Sequence, residues 1–231
     1  MLCAGTLIRL RSAGWEVHIA TATPGDCGTM IDTPHDIASI RTREGRAAAE
    51  MIGATYHCID ERDGRVVYDK PTVQKAIDLF RIVAPSLVFT HAPRDYMMDH
   101  EMVSMLARAA SFVYGAPNVS QHPRKPESCV PWLYYCDPVG GTDPLGNEAS
   151  ATTFVDITDQ LEQKAQMLAA HVSQREWLRA HHGMDEYIES LRRHAAWRGG
   201  HCGVPAAEAF TQHRGHPYPT DDVLVELFGK K

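Results

Sequence analysis

Helix-periodic segments alternate with short β-rich runs through the first half of the chain, and this alternation restricts the fold more than any other feature. Leu2, Leu7, Leu10 and Ala13 share a helical face that Gly14 ends, and 15–21 (WEVHIAT) is β-rich. Pro34, suited to a first helical turn, leads into a helix over 37–52 with Gly53 as its stop. Residues 54–59 are strand-like, 73–83 are helical until Pro85, and 86–90 (SLVFT) form an apolar run of the kind buried on both faces of a sheet. A helix over about 101–114 follows. With few hairpin signals, the pattern predicts an α/β fold: a Rossmann-like, three-layer, doubly wound and mostly parallel sheet.

The second half continues the pattern less regularly. Strands are expected at 132–136 and 152–157, helices at 159–171 and 175–193, and the stretch beyond 199 is rich in Gly, His and Pro. One domain over 1–231 is expected, with 199–231 as a C-terminal tail packing on it. A parallel α/β domain normally opens with a strand, whereas this chain opens on a helix without an N-cap residue. The first strand is therefore expected to lie upstream.

Composition removes several classes of function. Lys and Arg number 23 against 29 Asp and Glu, for a net charge of -6. That balance argues against a general nucleic-acid binder, whose affinity rests on clustered basic residues. No apolar run approaches the roughly 20 residues that span a bilayer. The first residues lack the features of a secretory signal, and the six cysteines include no CxxC pair, so reduced thiols and a cytoplasmic location are expected.

Chemistry concentrates in 90–101 (THAPRDYMMDHE), at the exit of the apolar strand, where sites in such sheets gather. Asp99 is placed to cap the following helix, and His100 on its first turn to point into the crevice. A neutral imidazole there is a good zinc ligand, and a neighbouring carboxylate can fix its tautomer. The plainer alternative is a cap beside a surface histidine, because one Asp-His pair does not define a metal site.

The ordered set CAGTL, GWEVHIATATPGDCG, IRTREGRAA, VFTHAPRDYMMDHE and HVSQREW resembles the LmbE-like, or PIG-L, family of zinc-dependent N-deacetylases, from Cys3 to about Trp177. The resemblance implies hydrolysis of the acetyl amide of an N-acetylated amino sugar or its conjugate. It gives His100 as the third zinc ligand and Asp99 as the acid beside it. Tyr96 then supplies a hydroxyl near Met97, where many members carry a further histidine. In the family a His-Pro-Asp-Asp loop provides the other two ligands and the general base. This sequence begins just after the place for that loop, so an initiation codon further upstream is expected, and the chain as written is expected to bind zinc poorly. Family members often assemble, which implies a homo-oligomer.

Arg41, in an Arg-x-x-Glu pattern with Glu44, is the candidate substrate-binding residue, against the alternative of a solvated helix face. Glu208 is a weaker candidate contact, and His181 and His182 are expected at the surface. The rival reading is a sugar-binding or assembly paralogue that has lost its zinc site. A nucleotide-binding Rossmann protein is disfavoured by the absence of a GxGxxG or GxxxxGK[ST] loop.

Overall fold

A computed structural model describes residues 2–182 and 187–229. The side chains of His181 and His182 lie outside the described residues, as does 183–186, within the helix expected over 175–193. The chain divides into two compact units, 2–64 with 155–208, and 65–154 with 209–229.

The first unit is built on a parallel strand pair, β1 (His18–Thr21) and β2 (Thr55–Cys58), in register from His18 opposite Thr55 to Thr21 opposite Cys58. Parallel pairing needs a crossover, which α2 (Pro34–Glu50) supplies. Pro34 stands in its first turn behind Thr33, whose hydroxyl accepts the Asp36 amide at 3.2 Å. The core joins Ala4 and Ile8 of α1 (Ala4–Ser12) to Val17, Ala49, Ile52 and Met167. Helices α5 (Leu161–Ala169), α6 (Val172–His182) and α7 (Tyr187–Cys202) complete the unit.

Helix α1 has no side-chain cap of its own. The Glu208 carboxylate takes that place, accepting the amides of Gly5 at 2.8 Å and Thr6 at 2.7 Å and the Thr6 hydroxyl at 2.6 Å. Lys164 Nζ, 2.7 Å away and itself buried, balances its charge. Every oxygen of this buried acid is matched, the condition under which such a group is tolerated.

The second unit contains α3 (Lys70–Val83), β3 (Leu87–Thr90), α4 (Met98–Val113), β4 (Trp132–Cys136) and α8 (Val223–Phe228), and the boundary between units falls within β5 (Thr153–Asp156) and β6 (Ala207–Gln212). Asp69 caps α3 through the Thr72 amide at 3.0 Å. The strand order is β3-β4-β6-β5. β3 and β4 are parallel, but β6 pairs with β4 antiparallel, Tyr134 facing Gln212. The α/β class holds, while the expected mostly parallel sheet is corrected to a mixed one. The cause is β6, an almost wholly buried strand inside the stretch read as a Gly/His/Pro-rich tail.

Candidate metal centre

Strand β3 ends at Thr90, and the seven residues between it and α4 turn back on themselves. The Asp95 amide donates to Glu101 Oε1 at 2.9 Å, and the Met97 amide to Asp95 Oδ1 at 3.2 Å. These bonds satisfy loop amides that no ladder reaches. They bring His91, Asp95 and His100 together, with one potential ligand atom from each within 4.8 Å of the others.

His100 Nδ1 and Asp95 Oδ1 are 2.9 Å apart, a contact that favours the tautomer in which Nδ1–H donates to the carboxylate and the Nε2 lone pair is open. The His91 ring lies nearly parallel to that of His100, at 7° and 4.0 Å between centroids. Burial and the neighbouring His100 push the His91 pKa down to about 3, so its imidazole is neutral at physiological pH. Two buried atoms in the cluster have no hydrogen-bond partner, His91 Nδ1 and Asp95 Oδ2. Two imidazoles, that of His91 held neutral, and a carboxylate with an unused oxygen are a donor set that suits a divalent metal.

Tyr96 stands beside the cluster with its ring edge-on to His100 at 5.5 Å. Partial desolvation and the Asp95 charge raise its pKa, which keeps the phenol a proton donor at neutral pH. Asp99 differs from its expected place. The residue before α4 is Met97, without a side-chain cap, so Asp99 is not the N-cap. It lies buried in the first turn, and its Oδ1 accepts the Val66 amide at 3.2 Å. The acid on His100 is Asp95. His91 and Asp95 were both present in the segment singled out above but carried no assigned role.

Arg41 belongs to the first unit. Its two terminal nitrogens donate to the carbonyls of Gly25 at 2.8 Å and Gly28 at 2.6 Å, holding the loop between β1 and α2. The loop is packed so closely on this side chain that a Cβ at Gly25 would lie 2.6 Å from Arg41 Cδ. Glu44 turns elsewhere, accepting the Ser173 amide at 2.9 Å and hydroxyl at 2.7 Å. Glu208 is the α1 anchor described above. None of the six cysteines forms a disulfide, and no helix among the described residues is long and apolar enough to cross a membrane.

A family model described as PIG-L, GlcNAc-PI de-N-acetylase, matches residues 1–111. The chain is 28% identical over 170 residues to a 4-oxalmesaconate hydratase of Pseudomonas putida, covering 70% of this chain. It is 25% identical over 183 residues, or 74% of this chain, to a diacetylchitobiose deacetylase of Thermococcus kodakarensis. The matches span only 64% and 63% of those relatives' lengths. Among solved structures, the 4-carboxy-2-hydroxymuconate hydratase of Pseudomonas putida superposes with a TM-score of 0.76 at 24% identity, over 95% of this chain and 92% of that one. The N,N'-diacetylchitobiose deacetylase of Pyrococcus horikoshii gives the same score and identity, over 95% of this chain and 82% of that one. The chain shares the fold of these solved structures, its first 111 residues match the PIG-L model, and on that fold it carries a candidate His/Asp metal-binding cluster.

Proposed function

We propose that the chain is a metal-dependent hydrolase that removes the acetyl group from an N-acetylated amino sugar or its conjugate. The observation that carries this reading is the pair of buried, unpartnered donor atoms on His91 and Asp95, grouped with His100. A divalent cation such as zinc, when bound there, supplies Lewis acidity toward an acyl oxygen and lowers the pKa of a water to about 7.

The chain's own residues bind, orient and hydrogen-bond the reactants. His91 is neutral, so no proton has to leave before its lone pair is used. Asp95 orients His100 through Oδ1 and keeps Oδ2 for the metal. Tyr96, 66% exposed at the mouth of the cluster, donates a hydrogen bond to the substrate oxygen on which charge develops. Asp99, tied to Val66, fixes the start of α4 and thereby the direction of His100. Similarity to a diacetylchitobiose deacetylase supports the acetyl amide as substrate.

Similarity to a hydratase favours a second reading, addition of water across the double bond of an unsaturated oxo-acid. A single experiment separates them. The purified chain, with zinc content measured, is given N,N'-diacetylchitobiose with release of acetate followed, and 4-oxalmesaconate with loss of the conjugated absorbance followed. Zinc retention with acetate release is the expected result, in place of the poor zinc binding expected from the sequence, because His91 and Asp95 stand with His100 where one ligand was in view. Zinc retention with hydration alone transfers the assignment to the second reading, and a chain that holds no metal removes both in favour of a binding paralogue.

A further inference from the structure

A groove of about 530 Å³ opens in the second unit between α4 and the segment that follows β6. It lies two to four turns along α4 from His100 and shares no residue with the metal cluster. Its walls include Arg108 and Phe112 of α4, Tyr68, and His213, His216 and Tyr218. In a chain of net charge -6, its lining has no carboxylate and includes one guanidinium and two imidazoles.

The floor is rigid. Tyr218 is buried, and its hydroxyl donates to the Arg108 carbonyl at 2.7 Å and lies 3.0 Å from Ser111 Oγ. The His213 ring stands edge-on to Tyr218 at 4.4 Å, and its Nδ1 is 3.0 Å from the Tyr135 hydroxyl. With Nδ1 engaged, Nε2 is the nitrogen left to the groove. The fold fixes Arg108 through its backbone carbonyl and through a side-chain hydrogen bond with Tyr135, while burial first and then the Arg108 charge lower the proton affinity of His213. The rim is apolar and aromatic, Phe112 being 54% and Tyr68 48% exposed.

We infer that this groove binds a small aromatic carboxylate, with its ring against Phe112 and Tyr68 and its anionic group on Arg108 and His213. Guanidinium offers a planar fork to a carboxylate, and exposed ring faces recover apolar area when a flat ligand covers them. A neutral ring lacks the charge-assisted bonds, and a small aliphatic anion lacks the stacking surface.

Benzoate is the probe, titrated calorimetrically into the full chain, with benzamide and acetate as comparisons. Benzoate should bind at least about tenfold more tightly than either, and Arg108→Gln should weaken it by about tenfold or more, the loss expected for a charge-assisted hydrogen bond. An unchanged melting temperature in that variant identifies the loss as local. His100→Ala should leave benzoate affinity unchanged, which separates this groove from carboxylate binding at the metal cluster. Equal affinity for benzoate and benzamide overturns the inference, as do an undiminished affinity in Arg108→Gln and a loss confined to His100→Ala.

Discussion

The imidazole of His91 lies 4.0 Å from that of His100, nearly face to face, while Asp95 holds His100 through Nδ1 at 2.9 Å. Two stacked imidazoles cannot both carry a proton at low cost, and the buried one is held neutral. The pair is therefore poised to offer lone pairs, and the consequences are measurable.

His100→Ala should remove bound zinc and any hydrolysis together. Asp95→Asn retains a side chain of the same size but no anionic oxygen, and should weaken zinc by about 10–100-fold, the range for residues that orient a metal-binding histidine, or by more where Oδ2 is itself a ligand. Metal content by mass spectrometry checks both. Full zinc occupancy in either variant would place the metal elsewhere.

Metal-free protein should lose stability in acid. His91 titrates at about 3 in the native state against 6.5 for a free histidine. Between those values the unfolded chain binds a proton that the native chain refuses, so stability falls as pH drops below 6.5. By pH 4 the loss is on the order of 3 kcal/mol. Urea titrations at pH 7 and pH 4 should show that loss in the natural chain and a smaller one in His91→Gln.

Glu208→Ala should cost about 3–5 kcal/mol, because Lys164 is left buried without its counter-charge and the first turn of α1 loses its acceptor. Thermal melts give the measurement. A shift no larger than that of an ordinary surface substitution would contradict the anchoring role.

Arg41→Ala should release the loop at 24–28, since both carbonyl contacts come from this one guanidinium. Limited proteolysis should then cut there faster, with any rise in KM following from the looser loop. An uncut loop with a raised KM would return Arg41 to direct substrate contact.

Most local structure was legible because it is written in short-range patterns. Pro34 marks the start of α2 by a first-turn preference that needs no distant partner, whereas α3 begins at Lys70 behind the Asp69 cap, three residues before the expected start at 73. Asp99 misled for the opposite reason. Its carboxylate is drawn to the Val66 amide, 33 residues away, and no periodicity carries such a contact. β6 was hidden because six residues, AEAFTQ, lie among Gly, His and Pro, and an antiparallel entry leaves no crossover helix to announce it. The cluster was half legible. The segment was evident from its density of His and Asp, but the choice between Asp95 and Asp99 as the acid on His100 depends on how the loop folds back.

The tie from Glu208 to Gly5 and Thr6 closes a span of more than 200 residues. During synthesis α1 is thus left without its anchor until Glu208, more than 200 residues later, has also emerged from the ribosome. Nascent chains halted before position 208 should accordingly depend on chaperones to shield the apolar side of that helix.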